Sequence, residues 1–487
     1  MLEALRGLGY STAAALADIV DNSVSAGATE VRIDFEWRGA DSRISVLDNG
    51  CGMDDARLEG AMRLGDRSPL EERSPEDLGR FGMGLKTASF SQCRRLTVAS
   101  IRRGVTLCCL RWDLDEIAAR RDDAWILFEG PAAGSEEVLD AISGRPFGTL
   151  VVWENLDRIV TEGFEADDFS DVIDGVEARL AMVFQRMLEG PRPKLRLLLN
   201  GRSVAPWDPF MRGHPAKPWE SPVARVHTRS GLVEVECHVL PHRDLLSPDE
   251  FESAGGPEGW IAQQGFYVYR NGRLLLAGGW LGLGQGRAWN REEFHRLARI
   301  RLDIPNTADA EWNIDIRKSK AKPPVSIRQR LIALAEDTRN RARKVFAYRG
   351  SPAPGPGEAP VEQAWRVDRS RTGIRYRIDE KHPAVAAALD ASGPALPLVK
   401  AMLRVVEETV PVQRVWLDTA ENGETPRTGF AGEPPEKAAE VLAILYRDMR
   451  GRLGMSAEAA KRALVSTEPF QNFPDLVAAL PDGPIDE

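Results

Sequence analysis

Three short runs between Asp18 and Lys86 place carboxylates, carboxamides, glycines and a lysine where they could do chemistry together. They are Asp18-x-x-Asp21-Asn22, then Asp48-Asn49-Gly50-Cys51-Gly52-Met53, then Gly79-Arg80-Phe81-Gly82-Met83-Gly84-Leu85-Lys86. Asp18 and Asn22 are four apart, so on a helix they share a face. A carboxylate beside a carboxamide can polarise a water and offer a neutral oxygen to Mg²⁺, which takes few protein ligands. Asp48 can accept a hydrogen bond from an exocyclic amine such as that of adenine. Gly50 and Gly52 let the backbone turn sharply and lie against a flat ligand. Gly79, Gly82 and Gly84 lead into a helix-like run, a phosphate cradle of backbone N–H groups. Lys86 stands in that first helical turn, where a cation is disfavoured unless an anion is near. Taken singly, each run also reads as something ordinary: a polar helix face, an Asp-Asn-Gly turn, a glycine-rich loop. In this order, within seventy residues, they describe an ATP site.

The elements that position them are legible too. Ala15, Leu16, Ile19, Val20 and Val24 recur at helical spacing over Ser11 to Ala26, behind a Ser11 or Thr12 N-cap, with Asp18 and Asn22 on the opposite face. Arg43 to Leu47 reads as a strand delivering Asp48, and Leu85 to Gln92 as the helix after the third run. Val31 to Trp37, Arg95 to Ile101 and Val105 to Trp112 are further strands, and Phe164 to Leu188 returns to helical spacing. This mixture suits a two-layer α/β sandwich. Gly148-Thr149 opens a strand-like run, Leu150 to Trp153.

These residues resemble the Bergerat-fold ATPases, the superfamily of gyrase B, Hsp90, histidine kinases and MutL. The stretch Phe-Gly-Met-Gly-Leu-Lys-Thr-Ala-Ser-Phe-Ser from Phe81, followed by Leu96-Thr97-Val98, is most similar to prokaryotic MORC-like members. The resemblance covers roughly the first 345 residues and is strongest over 11–100. It implies that Asn22 holds Mg²⁺, that Asp48 reads adenine with Gly50, Gly52, Met53 and Thr149 around it, and that residues 54–82 form a lid. Gly82, Gly84 and Lys86 would face the phosphates, with Gly79, Phe81, Met83 and Leu85 also counted among the nucleotide-binding residues. The family's usual base is a glutamate where this chain has Asp18, one methylene shorter, so reach to the water is reduced and slow hydrolysis is expected. Asp18 is kept as the base, with Asp21 as a structural neighbour. The run Trp312-Asn313-Ile314-Asp315-Ile316-Arg317-Lys318 resembles the MutL-like segment whose lysine touches the terminal phosphate. That role falls to Lys318, with Lys320 as the fallback.

The length of 487 residues suits about three domains. The expected architecture is α+β: a Bergerat ATP-binding domain over 1–190, an S5-type transducer domain over 191–348, a Pro/Gly linker over 349–362, and a helix-rich interaction domain over 363–487. In the second region, Leu195 to Leu199 opens a set of strands. Ala224 to His227 and Leu232 to Leu240 flank a turn at Arg229-Ser230-Gly231, and Phe266 to Tyr269 and Leu274 to Leu276 flank Asn271-Gly272, a strong hairpin signal. Ala298 to Leu302 is one more strand. In the third, Pro383 to Leu389, Leu396 to Glu408, Lys437 to Leu453 and Ala457 to Leu464 read as helices, with a strand at Arg414 to Leu417. No segment approaches the roughly 18 apolar residues that cross a bilayer, and no secretory leader is evident, so cytoplasm is the default. Five cysteines show no paired spacing, and Cys237-His238 with His242 is the only cluster of soft ligands.

The net charge of −9 argues against a protein that coats nucleic acid throughout, yet eleven basic residues between Arg317 and Arg349 face only Glu336 and Asp337. That block is either an electrostatic footprint for phosphate or a solvated helix face. The resemblance implies an ATP-gated homodimeric clamp on double-stranded DNA, with partner proteins met through 363–487, by analogy in DNA surveillance or anti-phage defence. The rivals are an Hsp90-like protein chaperone, a histidine kinase, disfavoured because no helix with an acceptor histidine precedes the site, and a nucleotide-sensing scaffold that does not hydrolyse.

Overall fold

Side chains alternate between two cores along the strands, so that one sheet is buried on both faces. In the strand Arg95–Ile101, Leu96 and Val98 face a large core while Ala99 and Ile101 face a smaller one; in Gly148–Glu154, Val151 and Trp153 face the first core and Leu150 and Val152 the second. Each such side chain, fully buried, contributes about 1.5–3 kcal/mol. The computed structural model describes residues 6–7, 9–63, 84–120, 126–314, 321–347, 362–370, 373–415, 430 and 435–482. The chain divides into two compact units, Met1–Gly350 and Ser351–Glu487.

The first unit is mixed α+β. Its larger sheet has eight strands: β1 (Glu30–Glu36), β2 (Arg43–Asp48), β3 (Arg95–Ile101), β4 (Cys108–Asp113), β5 (Phe128–Glu129), β6 (Gly148–Glu154), β7 (Arg196–Leu199) and β8 (Arg202–Ser203), in the order β5-β4-β3-β6-β2-β1-β7-β8. All neighbours run antiparallel except β1 and β7. Helix α1 (Thr12–Ser25) contacts α3 (Gly84–Phe90) and α4 (Ala166–Val183), while α2 (Asp55–Met62) contacts β4. Ser11 is the N-cap of α1, its Oγ accepting from the Ala14 N–H at 3.2 Å.

A second sheet holds β9 (Trp219–Glu220), β10 (Ala224–Thr228), β11 (Gly231–Val239), β12 (Gly265–Arg270), β13 (Arg273–Leu276) and β14 (Ala298–Asp303), ordered β10-β11-β14-β12-β13 with β9 on β11. The Asn271-Gly272 turn has φ of 50° and 79°, the left-handed pair that a tight hairpin needs. Helix α5 (Val325–Ala347) packs on β11 and β14. The strand expected to open this region, Leu195 to Leu199, instead joins the first sheet. Its hydrophobic residues complete the core beside β1, a parallel pairing across more than 160 residues that local pattern does not announce. The two sheets meet where Met182 of α4 packs with Phe210, Tyr267, Tyr269 and Leu274.

The second unit contains α6 (Pro383–Ala391), α7 (Leu396–Glu408), α8 (Pro435–Gly451) and α9 (Ala457–Val465). It also contains a hairpin absent from the sequence expectation, β15 (Trp365–Ser370) paired with β16 (Gly373–Ile378). The expected strand at Arg414 to Leu417 is corrected in part: Arg414 and Val415 are helical, and Trp416 and Leu417 lie outside the described residues, as does the linker but for Glu362.

Candidate nucleotide site

Asp48 ends β2 and is buried at 6% exposure. Its Oδ2 accepts from Ser23 Oγ of α1 at 2.8 Å; its Oδ1 accepts from the N–H groups of Gly50 at 2.8 Å and Thr149 at 3.2 Å. Three segments therefore close on one carboxylate. Burial pushes the Asp48 carboxyl above its ordinary 3.8, against the opposing pull of the bonds from Gly50, Ser23 and Thr149. Each carboxylate oxygen has two lone pairs, so Oδ2 keeps one for a further donor among the described residues. The chemistry suits an exocyclic amine.

The glycine turn after Asp48 is shaped by contacts with β3 and β6. Gly52 has φ +67°, and a Cβ there would lie 1.8 Å from the carbonyl oxygen of Ile101. Gly148 has φ +137°, and a Cβ there would lie 2.3 Å from the Asp48 carbonyl oxygen. The Met53 N–H donates to Ser100 Oγ at 2.8 Å, and that hydroxyl lies 3.0 Å from Thr149 Oγ1. Gly50 and Thr149 thus bond Asp48 directly, while Gly52 and Met53 are held against Ile101 and Ser100 of β3.

On α1, Asn22 is exposed, but Asp18 is buried at 7%. Tyr10 donates its hydroxyl to Asp18 Oδ2 at 3.2 Å. The residue covering this face is Arg273, first in β13 of the second sheet. Its Nε lies 3.1 Å from both oxygens of Asp21, its Nη2 lies 3.0 Å from Asp21 Oδ2, and the same nitrogen is 3.7 Å from Asp18 Oδ1. Sequence spacing gives no notice of Arg273, Tyr10 or Ser23, because their partners are tertiary.

Lys86 lies in the first turn of α3 and is 1% exposed. Its Nζ donates to the carbonyls of Ala61, at 3.0 Å, and Arg63, at the C-terminal end of α2, where helix carbonyls lack internal partners. Gly84 opens α3 and Leu85 packs against the main core. Gly79, Phe81, Gly82 and Met83 lie outside the described residues, as do Lys318 and Lys320, and so does the expected lid beyond Arg63.

The soft-ligand cluster is structural. His238 stacks on Phe210 with centroids 4.5 Å apart, burial holds its imidazole down at about 4, and burial raises the Cys237 thiol. His242 accepts from the Asp244 N–H. Among the described residues no three His, Cys, Asp or Glu side chains group to hold a metal. Asn22 presents a neutral oxygen donor of the kind that suits an ion carried in by phosphates.

The basic block divides on inspection. Arg339 of α5 is buried, pairs with Glu292 at 3.3 Å and lies 4.6 Å from the Trp280 and Trp289 rings. Lys322, Arg330, Arg341, Arg343 and Lys344 are exposed, Arg341 beside Asp337.

Comparison with known proteins places these observations. Residues 10–149 match the family described as histidine kinase-, DNA gyrase B-, and HSP90-like ATPase. The chain is 22% identical over 276 residues to the ATPase morc-1 of Caenorhabditis elegans, covering 49% of this chain and 30% of that protein. It is 24% identical over 406 residues to the DNA mismatch repair protein MutL of Syntrophotalea carbinolica, covering 77% of this chain and 54% of that one. Over 92 residues it is 38% identical to MutL of Rhizobium leguminosarum, 15% of that protein. The chain thus spans about half or less of these relatives. No helix of the described residues is long and apolar enough to cross a membrane. Residues 10–149, which carry Asp18, Asn22, Asp48, Lys86 and Thr149, are a domain of the histidine kinase-, DNA gyrase B-, and HSP90-like ATPase family, in a chain that is also similar to morc-1 and MutL.

Proposed function

We propose that the chain binds and hydrolyses ATP with Mg²⁺ and uses the cycle as an ATP-gated dimeric clamp on double-stranded DNA. The observation that carries the nucleotide half is the Asp48 junction, with Ser23, Gly50 and Thr149 bonded to one buried carboxylate and one acceptor position left for the adenine amine. Asn22 would hold the metal, and Gly82, Gly84 and Lys86 the phosphates. Bound Mg²⁺ supplies charge neutralisation on the triphosphate. Asp18 takes the proton of the attacking water from a helix face closed to bulk solvent by Tyr10 and Arg273. Lys86 can exchange the carbonyls of Ala61 and Arg63 for phosphate oxygens. Lys318 would report the γ-phosphate to the second sheet.

The clamp half is supported by similarity to MutL and morc-1, by the docking of the second sheet on α1 and α4, and by the exposed Lys322, Arg330, Arg341, Arg343 and Lys344. Such side chains would grip phosphate without reading sequence. Cytoplasmic location, partner proteins through 363–487 and a role in DNA surveillance or anti-phage defence belong to the same proposal.

Phosphate release with duplex DNA, with an unfolded protein and with neither tests this reading, alongside size-exclusion chromatography with a non-hydrolysable ATP analogue. Stimulation by duplex DNA and a nucleotide-dependent dimer are expected. Stimulation by the unfolded protein alone would replace the clamp with a chaperone, and binding without phosphate release would leave a scaffold.

A pH dependence follows from Asp48. Protonation puts an O–H donor where the adenine amine also donates, so affinity is present while the carboxyl is ionised and is lost as pH falls. Because burial raises this group, the loss should begin above the ordinary carboxylate value of 3.8. Titration of ATP affinity from pH 7.5 downward checks it; constant affinity down to pH 4 would remove Asp48 from the base contact.

A further inference from the structure

We infer that Arg273 is a positioning residue for turnover, acting through Asp21 to hold Asp18 in place, so that the second sheet sets the competence of the base in the first domain. The inference rests on the reading of Asp18 as the residue that polarises water.

The geometry is specific. Arg273 follows directly on the Asn271-Gly272 turn, whose paired positive φ angles fix the direction in which β13 starts. Its guanidinium donates from Nη1 to the Leu274 carbonyl at 2.8 Å and engages Asp21 through Nε and Nη2. The side chains of Arg273 and Asp21 are 5% and 2% exposed, and that of Asp18 is 8%. Burying this pair has a desolvation cost that the attraction does little more than offset, so fold stability alone explains it poorly. A planar fork that locks orientation explains it better.

Asp21 and Asp18 are three apart on α1 and share a face. Without the guanidinium these two buried carboxylates would repel, and that repulsion would act on the turn of helix carrying Asp18. With it, the cation sits 3.7 Å from Asp18 Oδ1 while Tyr10 holds Oδ2. Arg179 of α4 lies near enough to Arg273 for the two like charges to repel. The same sheet is tied to the short helical turn that follows α4, Gln185–Leu188, by Arg186, which pairs with Asp303 and lies 4.9 Å from the Tyr269 ring. A shift of the second sheet would therefore draw Arg273 along α1 and change what Asp18 faces.

The test uses the full chain. Arg273→Gln, Arg273→Lys, Asp21→Asn and the double variant Arg273→Gln/Asp21→Asn are compared for kcat, KM and affinity for a fluorescent ATP analogue. The expected result is a fall in kcat of about tenfold or more for Arg273→Gln, with nucleotide affinity held within about threefold, and partial recovery in Arg273→Lys. The double variant should be no slower than the slower single one, because both remove one strut. Wild-type kcat in Arg273→Gln, or loss of affinity in step with kcat, overturns the inference. Should Arg273→Gln fail to fold, Asp21→Asn decides, since it keeps the shape of the side chain; wild-type kcat there is equally fatal. A wild-type chain that neither binds nor hydrolyses ATP would instead end the underlying ATPase reading.

Discussion

Asparagine in place of Asp18 is expected to lower ATP turnover by about 10²–10⁴-fold, the usual share of a positioned general base, with nucleotide affinity changed little. The carboxamide has the size of the carboxylate, and its oxygen can still accept from the Tyr10 hydroxyl that lies 3.2 Å from Oδ2. Arg273 keeps Asp21 as its main partner, so no buried cation is left alone. What the substitution removes is the negative charge that, in the proposed function, would draw the water's proton. Asp18→Glu tests reach separately. A longer arm should quicken hydrolysis if the present one is short, and slow it if the space held by Tyr10 and Arg273 is already full. Single-turnover phosphate release at saturating ATP measures both. An Asp18→Asn enzyme that hydrolyses at the wild-type rate would move the base to another residue.

Alanine at Gly52 destabilises the first unit by about 2–4 kcal/mol, summing the cost of a left-handed alanine and that of an overpacked contact. The added methyl would fall 1.8 Å from the Ile101 carbonyl oxygen and 2.6 Å from its carbon, both backbone atoms of β3. Ile101 is paired with Gly148 across β6, so the strand cannot yield without disturbing the turn that holds Thr149. Movement of the glycine turn itself would break the bond from the Met53 N–H to Ser100. Gly104→Ala is the control: its φ is +79° but nothing lies within 4 Å of the added carbon, so about 1 kcal/mol is expected. Urea denaturation followed by tryptophan fluorescence reads the difference. Equal losses in the two variants would show that steric closure at Ile101 is unimportant.

The legible parts of this protein are those where local pattern and tertiary structure agree. The apolar stripe of α1, the strand leading to Asp48, the hairpin at Asn271-Gly272 and the helix Leu396–Glu408 follow from periodicity and turn chemistry. The face of α1 opposite the stripe is read as polar, and Asn22 is exposed; Asp18 on that same face is buried because β13 arrives there from 250 residues away. Pattern cannot foresee which polar face a distant sheet will cover. Lys86 is a similar case. Its position in a first helical turn signals a nearby anion, and in the fold its ammonium meets the carbonyl end of another helix, a partial negative charge of the same sign. Strand β7 is expected in the second region because a short strand of three successive leucines fits either sheet. The hairpin Trp365–Ser370 and Gly373–Ile378 has the alternation of strands, but its neighbours in sequence are helical and drew the reading with them.

The junction at Asp48 also bears on how such a protein can change over generations. The atoms that would choose the base are the same ones that tie α1, β2 and β6 together. A drift toward guanine or a pyrimidine would begin by altering this carboxylate, and the first step would loosen the architecture before any new preference arose. If Asp48 reads the base as proposed, selectivity for adenine would be guarded by foldability, and diversification would be cheaper at the periphery, in the loops and the C-terminal unit, than in the choice of fuel.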